Sequence, residues 1–103
     1  NNIQARYGLA MFYQDMEEYN MAIDEYNKIL LIDSTHANSL NNLGYIELLN
    51  NNYEGAIAFF DRALLTNSFF VEAIDNKGLA YELMNNTAKA KEMYQMALSI
   101  DQG

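Results

Sequence analysis

A chain of 103 residues with 14 acidic and 6 basic side chains carries a net charge of −8; half its residues are apolar. That composition fits one folded domain and is too apolar for a disordered chain. The negative surface repels phosphate backbones and anionic headgroups, so neither nucleic acid nor a membrane is an expected partner. No apolar run approaches the ~18 residues of a membrane span, and the lack of cysteine removes disulfides and thiolate metal sites.

One offset recurs along the chain. Ala22, Ala56 and Ala90 are spaced by 34 residues, as are Tyr26, Phe60 and Tyr94, then Leu30, Leu64 and Leu98, then Ala10, Gly44 and Gly78. A fixed period of this size signals a stack of like units, here 3–36, 37–70 and 71–103.

In the first unit, Leu9, Ala10 and Tyr13 precede Glu17-Glu18, and Tyr19, Ala22, Ile23, Tyr26 and Leu30 follow. In the second, Leu40, Leu43, Gly44 and Leu48 recur at helical spacing, then Asn50-Asn51-Asn52 intervenes before Ala56, Phe60, Ala63 and Leu64. The third repeats the pattern, with Gly78 and Tyr81, then Asn85-Asn86, then Ala90, Tyr94, Ala97 and Leu98. Asparagine tolerates the left-handed conformation that ends a helix and caps the start of the next. Glu17-Glu18 specifies its turn less well. Each unit thus reads as two helices and a turn. Gly44, Gly78 and Ala10 are expected to meet Ala56, Ala90 and Ala22 so that the two backbones approach. Tyr26, Phe60 and Tyr94 are then expected to fill space against the next hairpin.

Taken together, these residues resemble the tetratricopeptide repeat from Ile3 to the end of the chain. The resemblance implies an all-α, right-handed superhelical solenoid of three antiparallel helix-turn-helix hairpins. Its first helices would line a concave groove that holds peptides or proteins, with no cofactor, metal or catalysis. Three departures stand out. Ser34, Ser68 and Gln102 replace the usual proline, the serines being expected to cap the next helix. Arg6, Leu40 and Ile74 replace an aromatic. No extra solvating helix follows Ile100, which together with the Asn1-Asn2 start suggests a segment of a longer protein.

Mapped onto this chain, the family's groove positions are Gln4, Tyr7, Met11 and Gln14, then Asn38, Asn41, Asn42, Tyr45 and Leu49, then Glu72, Asp75, Asn76, Leu79 and Glu82. Met11, Tyr45 and Leu79 would form an apolar strip, flanked by asparagines that both donate and accept. The clamp with which one subgroup grips a chaperone's C-terminal carboxylate would fall on Tyr7, Met11, Asn42, Glu72 and Asn76. Only Asn42 has a clamp residue type, and Glu72 puts an anion where a cation is needed. A neutral or basic protein segment with apolar anchors fits better.

Other features have plainer readings. His36 is expected to be exposed or capping, because no ligand set or triad surrounds it. Glu17-Glu18 and Asp24-Glu25 read as a solvated face. Met16, Met21, Met84, Met93 and Met96 read as core filler, and the sequon at Asn85 as a turn. Phe70 is expected to staple the entry to the third unit. The alternative is an exposed patch of Phe59, Phe69 and Phe70 that contacts a partner or a second copy. Self-association through terminal hairpins or these aromatics is therefore the competing function. An RNA-binding helical repeat would need a basic groove, and an enzyme a nucleophile–base set; the sequence offers neither.

Overall fold

The computed structural model describes residues 2–102, which form six helices. They are α1 (Ile3–Asp15), α2 (Tyr19–Ile32), α3 (Ala37–Leu49), α4 (Tyr53–Thr66), α5 (Val71–Leu83) and α6 (Thr87–Gln102). They pack as the hairpins α1/α2, α3/α4 and α5/α6, and the hairpins stack through α2 on α3 and α4 on α5.

The turn inside each hairpin is the same backbone device used three times. Glu17, Asn51 and Asn85 stand 34 residues apart and adopt φ of 59°, 64° and 62°. The following amide reaches back to close the helix end: Glu18 N–H to Tyr13 O, Asn52 N–H to Glu47 O and Asn86 N–H to Tyr81 O, at 2.8–2.9 Å. This is the left-handed helix stop that asparagine accepts readily and glutamate does not. Asn52 and Asn86 then cap α4 and α6, accepting from the amides of Gly55 and Lys89, whereas Glu18 gives α2 no side-chain cap.

The expected serine caps are absent. His36 caps α3, with Nδ1 accepting from the Ser39 amide at 3.2 Å, and Phe70, which has no capping side chain, occupies that position before α5. Asp33 and Asn67 instead fold the linkers between hairpins by accepting from the amides of Thr35 and Phe69. Both stabilise a turn two residues on, which leaves Ser34 and Ser68 nothing to cap.

Small residues set the spacing inside the hairpins: Ala10 and Ala22 share one buried cluster, and Gly44 and Gly78 lie under aromatic rings. A Cβ built on Gly44 would lie 2.5 Å from Phe60 Cε1, and one built on Gly78 2.8 Å from Tyr94 Cε1. The glycines therefore make room for the rings of Phe60 and Tyr94 in their own hairpins. Phe60 is fully buried and also clusters with Ala80 of the next hairpin. Tyr26, Ile29, Leu43 and Ile46 join the first two hairpins, and Leu40, Ala63 and Ala73 continue the core.

Two assignments need correction. Met16, Met21, Met84 and Met96 lie at the surface, not in the core. Glu25 is buried, not solvated: it accepts from Arg6 at 2.8 Å and from Lys28 at 3.3 Å. One and two periods on, the Arg6–Glu25 positions hold Leu40 with Phe59 and Ile74 with Met93, so an ion pair stands where the other units place apolar side chains.

Two predictions follow from the turn and the glycines. Glu17→Asn should raise stability by about 0.5–1 kcal/mol in urea denaturation, because it relieves a left-handed glutamate. Alanine replacing Gly8, Gly78 and Gly44, each on the first helix of its hairpin, should give an order of cost. Nothing lies within 4 Å of a Cβ on Gly8, so Gly8→Ala should stabilise by up to ~1 kcal/mol through helix propensity. Gly78→Ala should be mildly destabilising, since the half-exposed Tyr94 ring can swing away. Gly44→Ala meets a ring with nowhere to go and should cost ~1–3 kcal/mol.

Candidate functional site

Side-chain hydrogen bonds tie the three first helices edge to edge. Asn42 Nδ2 donates to Tyr7 Oη at 2.8 Å and approaches Met11 Sδ at 3.5 Å, linking α3 to α1. One period on, Asn76 Nδ2 donates to Asn41 Oδ1 at 3.1 Å, linking α5 to α3. Position 42 or 76 of one unit thus reaches position 7 or 41 of the unit before. The result is a continuous layer α1–α3–α5 with α2, α4 and α6 behind it.

The expected groove residues divide on this layer. Met11, Asn38, Tyr45, Glu72 and Asp75 are exposed; Tyr7, Asn42, Asn76 and Leu79 are partly covered. Asn41 is buried at 8% exposure, so it serves the join between hairpins and offers little to a ligand. Leu79 packs partly against the core of the second and third hairpins, which leaves Met11 and Tyr45 as the more open apolar surface. Gln14 is also engaged, accepting from Tyr26 Oη at 2.6 Å. The sequence identified the layer but not these pairings, because a period assigns a helix face without saying which amide meets which.

Hydrogen bonding gives the layer a polarity. Asn42 and Asn76 turn a donor toward the preceding unit, and their Oδ1 atoms take no hydrogen bond among the described residues. Glu72 and Asp75 add anionic acceptors, and among the described residues no lysine or arginine pairs with either. Burial, together with the negative charges of Asp101 and Glu72, raises the Asp75 carboxyl above its ordinary value. A cation placed beside it would bring that value down again. Glu82 accepts from Tyr94 Oη at 2.8 Å; burial first, then this bond, push Tyr94 up to about 12. Tyr7 is raised by burial, which the bond from Asn42 partly offsets.

Five of the six cations are occupied elsewhere. Arg6 and Lys28 pair with Glu25, Lys77 pairs with Asp61 at 2.7 Å, and Arg62 and Lys89 lie over the rings of Phe59 and Tyr81. Of the aromatics set apart as a second contact, Phe59 and Phe70 are partly buried in the core and only Phe69 is exposed, at 72%. Phe70 does pack against the core at the entry to α5. His36 sits 5.5 Å from Tyr7, ring to ring, with Nδ1 also 2.8 Å from the Oγ of the fully buried Ser39.

Comparison with known proteins agrees with this geometry. Tetratricopeptide repeat family models match residues 2–64 and 71–103. The ycf37 proteins of Guillardia theta and Cyanophora paradoxa are 30% and 36% identical over 100 and 97 residues. Those alignments take in 92% and 90% of this chain, which spans about half, 56%, of each relative's length. Among solved structures, MamA superposes with a TM-score of 0.87 at 30% identity, covering 97% of this chain and 58% of that one. The first repeat domain of Spaghetti (RPAP3), bound to the HSP90 peptide SRMEEVD, superposes at 0.90 with 19% identity over 98% of this chain and 80% of that one. The fold, its 34-residue period and these matches make the chain a member of the tetratricopeptide repeat family.

Proposed function

We propose that this chain is a protein-interaction scaffold whose α1–α3–α5 face holds an extended partner segment rich in hydrogen-bond donors. The segment would carry lysine or arginine beside apolar anchors. The observation that carries this reading is the one-sided chemistry of the face: open Asn42 and Asn76 carbonyls with Glu72 and Asp75, and, among the described residues, no cation paired to either carboxylate. Backbone N–H groups of an extended segment suit the carbonyls. Its cations suit the carboxylates, and Met11 and Tyr45 offer apolar contact.

The Spaghetti domain is bound to an acidic peptide, but at 19% identity that likeness carries only the fold. Here Glu72 and Asp75 would repel such a tail. Binding without chemistry is the companion reading, since Ser39 beside His36 is enclosed between helices and out of reach of a substrate.

The test compares SRMEEVD with a version carrying lysine at its three acidic positions, by calorimetry at low and physiological salt. The lysine peptide should bind at least tenfold more tightly, and its advantage should shrink as salt screens the face. Glu72→Lys with Asp75→Lys should weaken it roughly three- to tenfold, the range of two exposed ion pairs, and Tyr45→Ala should weaken both peptides. Equal affinity for the two peptides, or binding indifferent to all three substitutions, would refute the reading.

A further inference from the structure

The outer helices of the first two hairpins repeat a surface pattern that neither the core nor the α1–α3–α5 face uses. On α2, Asp24, Lys28 and Leu31 follow one another at spacings of four and three; on α4, Ala58, Arg62 and Leu65 do the same one period later. Such spacing places each trio along one side of its helix. Leu31 is 87% exposed and Leu65 88%. Leu65 belongs to the middle hairpin, which has a hairpin on either side, so this position faces outward by its place in the repeat. The third unit drops the pattern, with Met96 and Ser99 at the positions of the cation and the leucine. Between α2 and α4 lies a depression of about 580 Å³, bordered by Asp24, Asn27, Lys28, Leu30, Leu31 and Arg62.

We propose that this surface binds a partner-protein segment bearing carboxylates beside apolar anchors, the opposite chemistry to that proposed for the groove. Charge names the occupant. The chain as a whole carries −8, yet two cations and one acid border the depression. Arg62 lies over the Phe59 ring, and among the described residues no carboxylate pairs with it. A guanidinium so placed keeps its planar fork of donors for an incoming carboxylate. Lys28 already pairs with Asp24 and Glu25, at 3.3 Å each. Lys28 thus offsets the acids of its own helix, and Arg62 carries the recognition. Leu31 and Leu65 supply apolar area that has no cover within the chain.

A second copy or an anionic membrane fits less well, since each brings a large negative surface against a chain of −8. A short segment meets only the local field. Because α2 and α4 stand behind the α1–α3–α5 layer, this surface and the groove can be filled together, by segments of opposite charge.

Fluorescence anisotropy on the whole chain tests this with a labelled amphipathic peptide whose leucine face is flanked by glutamates. The wild-type chain should bind it saturably. Leu31→Ser with Leu65→Ser should weaken it roughly tenfold or more. Circular dichroism and the urea midpoint should stay unchanged in that variant, because both side chains are already exposed. Arg62→Gln should weaken the peptide about two- to fivefold, a loss that shrinks as salt rises. Tyr45→Ala, which alters the groove alone, should leave this peptide unaffected, so either site can fail while the other stands. No saturable binding, binding indifferent to the leucine and arginine variants, or binding that Tyr45→Ala removes would overturn the proposal. Phosphatidylglycerol vesicles, or a second copy seen by light scattering, engaging these leucines in place of the peptide would overturn it too.

Discussion

A ring laid over a glycine fixes how closely the helices of the second and third hairpins approach. Phe60 occupies the space that a side chain on Gly44 would need, and Tyr94 does the same over Gly78. In the first hairpin, Ala10 carries a Cβ and Tyr26 is nonetheless buried, its ring tilted against Tyr7 and its hydroxyl bonded to Gln14. That contact positions α1, α3 and α5 relative to their partners. It therefore also places Asn42, Asn76 and Tyr45, which sit on the opposite side of those helices. Stability and the geometry of the proposed binding face share one cause, as expected of stacked repeats that bury their cores only through neighbours.

The architecture was legible because a period of 34 residues reports the same helix face three times over. The turn was legible at Asn51 and Asn85, whose chemistry suits a left-handed residue, and less so at Glu17, which adopts the same conformation because its hairpin requires it. What escaped was pairing. The period marks Asn41 and Asn42 as neighbours on one helix, yet one is buried between hairpins and the other faces the groove, a difference of about 100° of helix rotation. Glu25 looked solvated because its partner Arg6 is remote in sequence; only packing brings them to 2.8 Å. Apolar character alone suggests core for the methionines, but the fold leaves Met16, Met21 and Met96 on outward positions.

Charge organisation ties these observations to function. Five of the six cations are held by Glu25, Asp24 and Asp61 and by two aromatic rings. Burial, with the nearby charges of Asp101 on α6 and Glu72 on α5, holds the Asp75 carboxyl above its ordinary value. The preference proposed for this face thus rests less on any single residue than on where the counter-charges are held.

A double-mutant cycle on Gly44→Ala and Phe60→Leu, measured by urea denaturation, tests the central contact most directly. If the ring over the glycine sets the hairpin, the alanine will be costly while Phe60 is present and nearly free once the ring is shortened, a coupling of about 1–2 kcal/mol. Strictly additive effects would show that Gly44 is small for some other reason, and would remove the physical link between the hairpin core and the binding face.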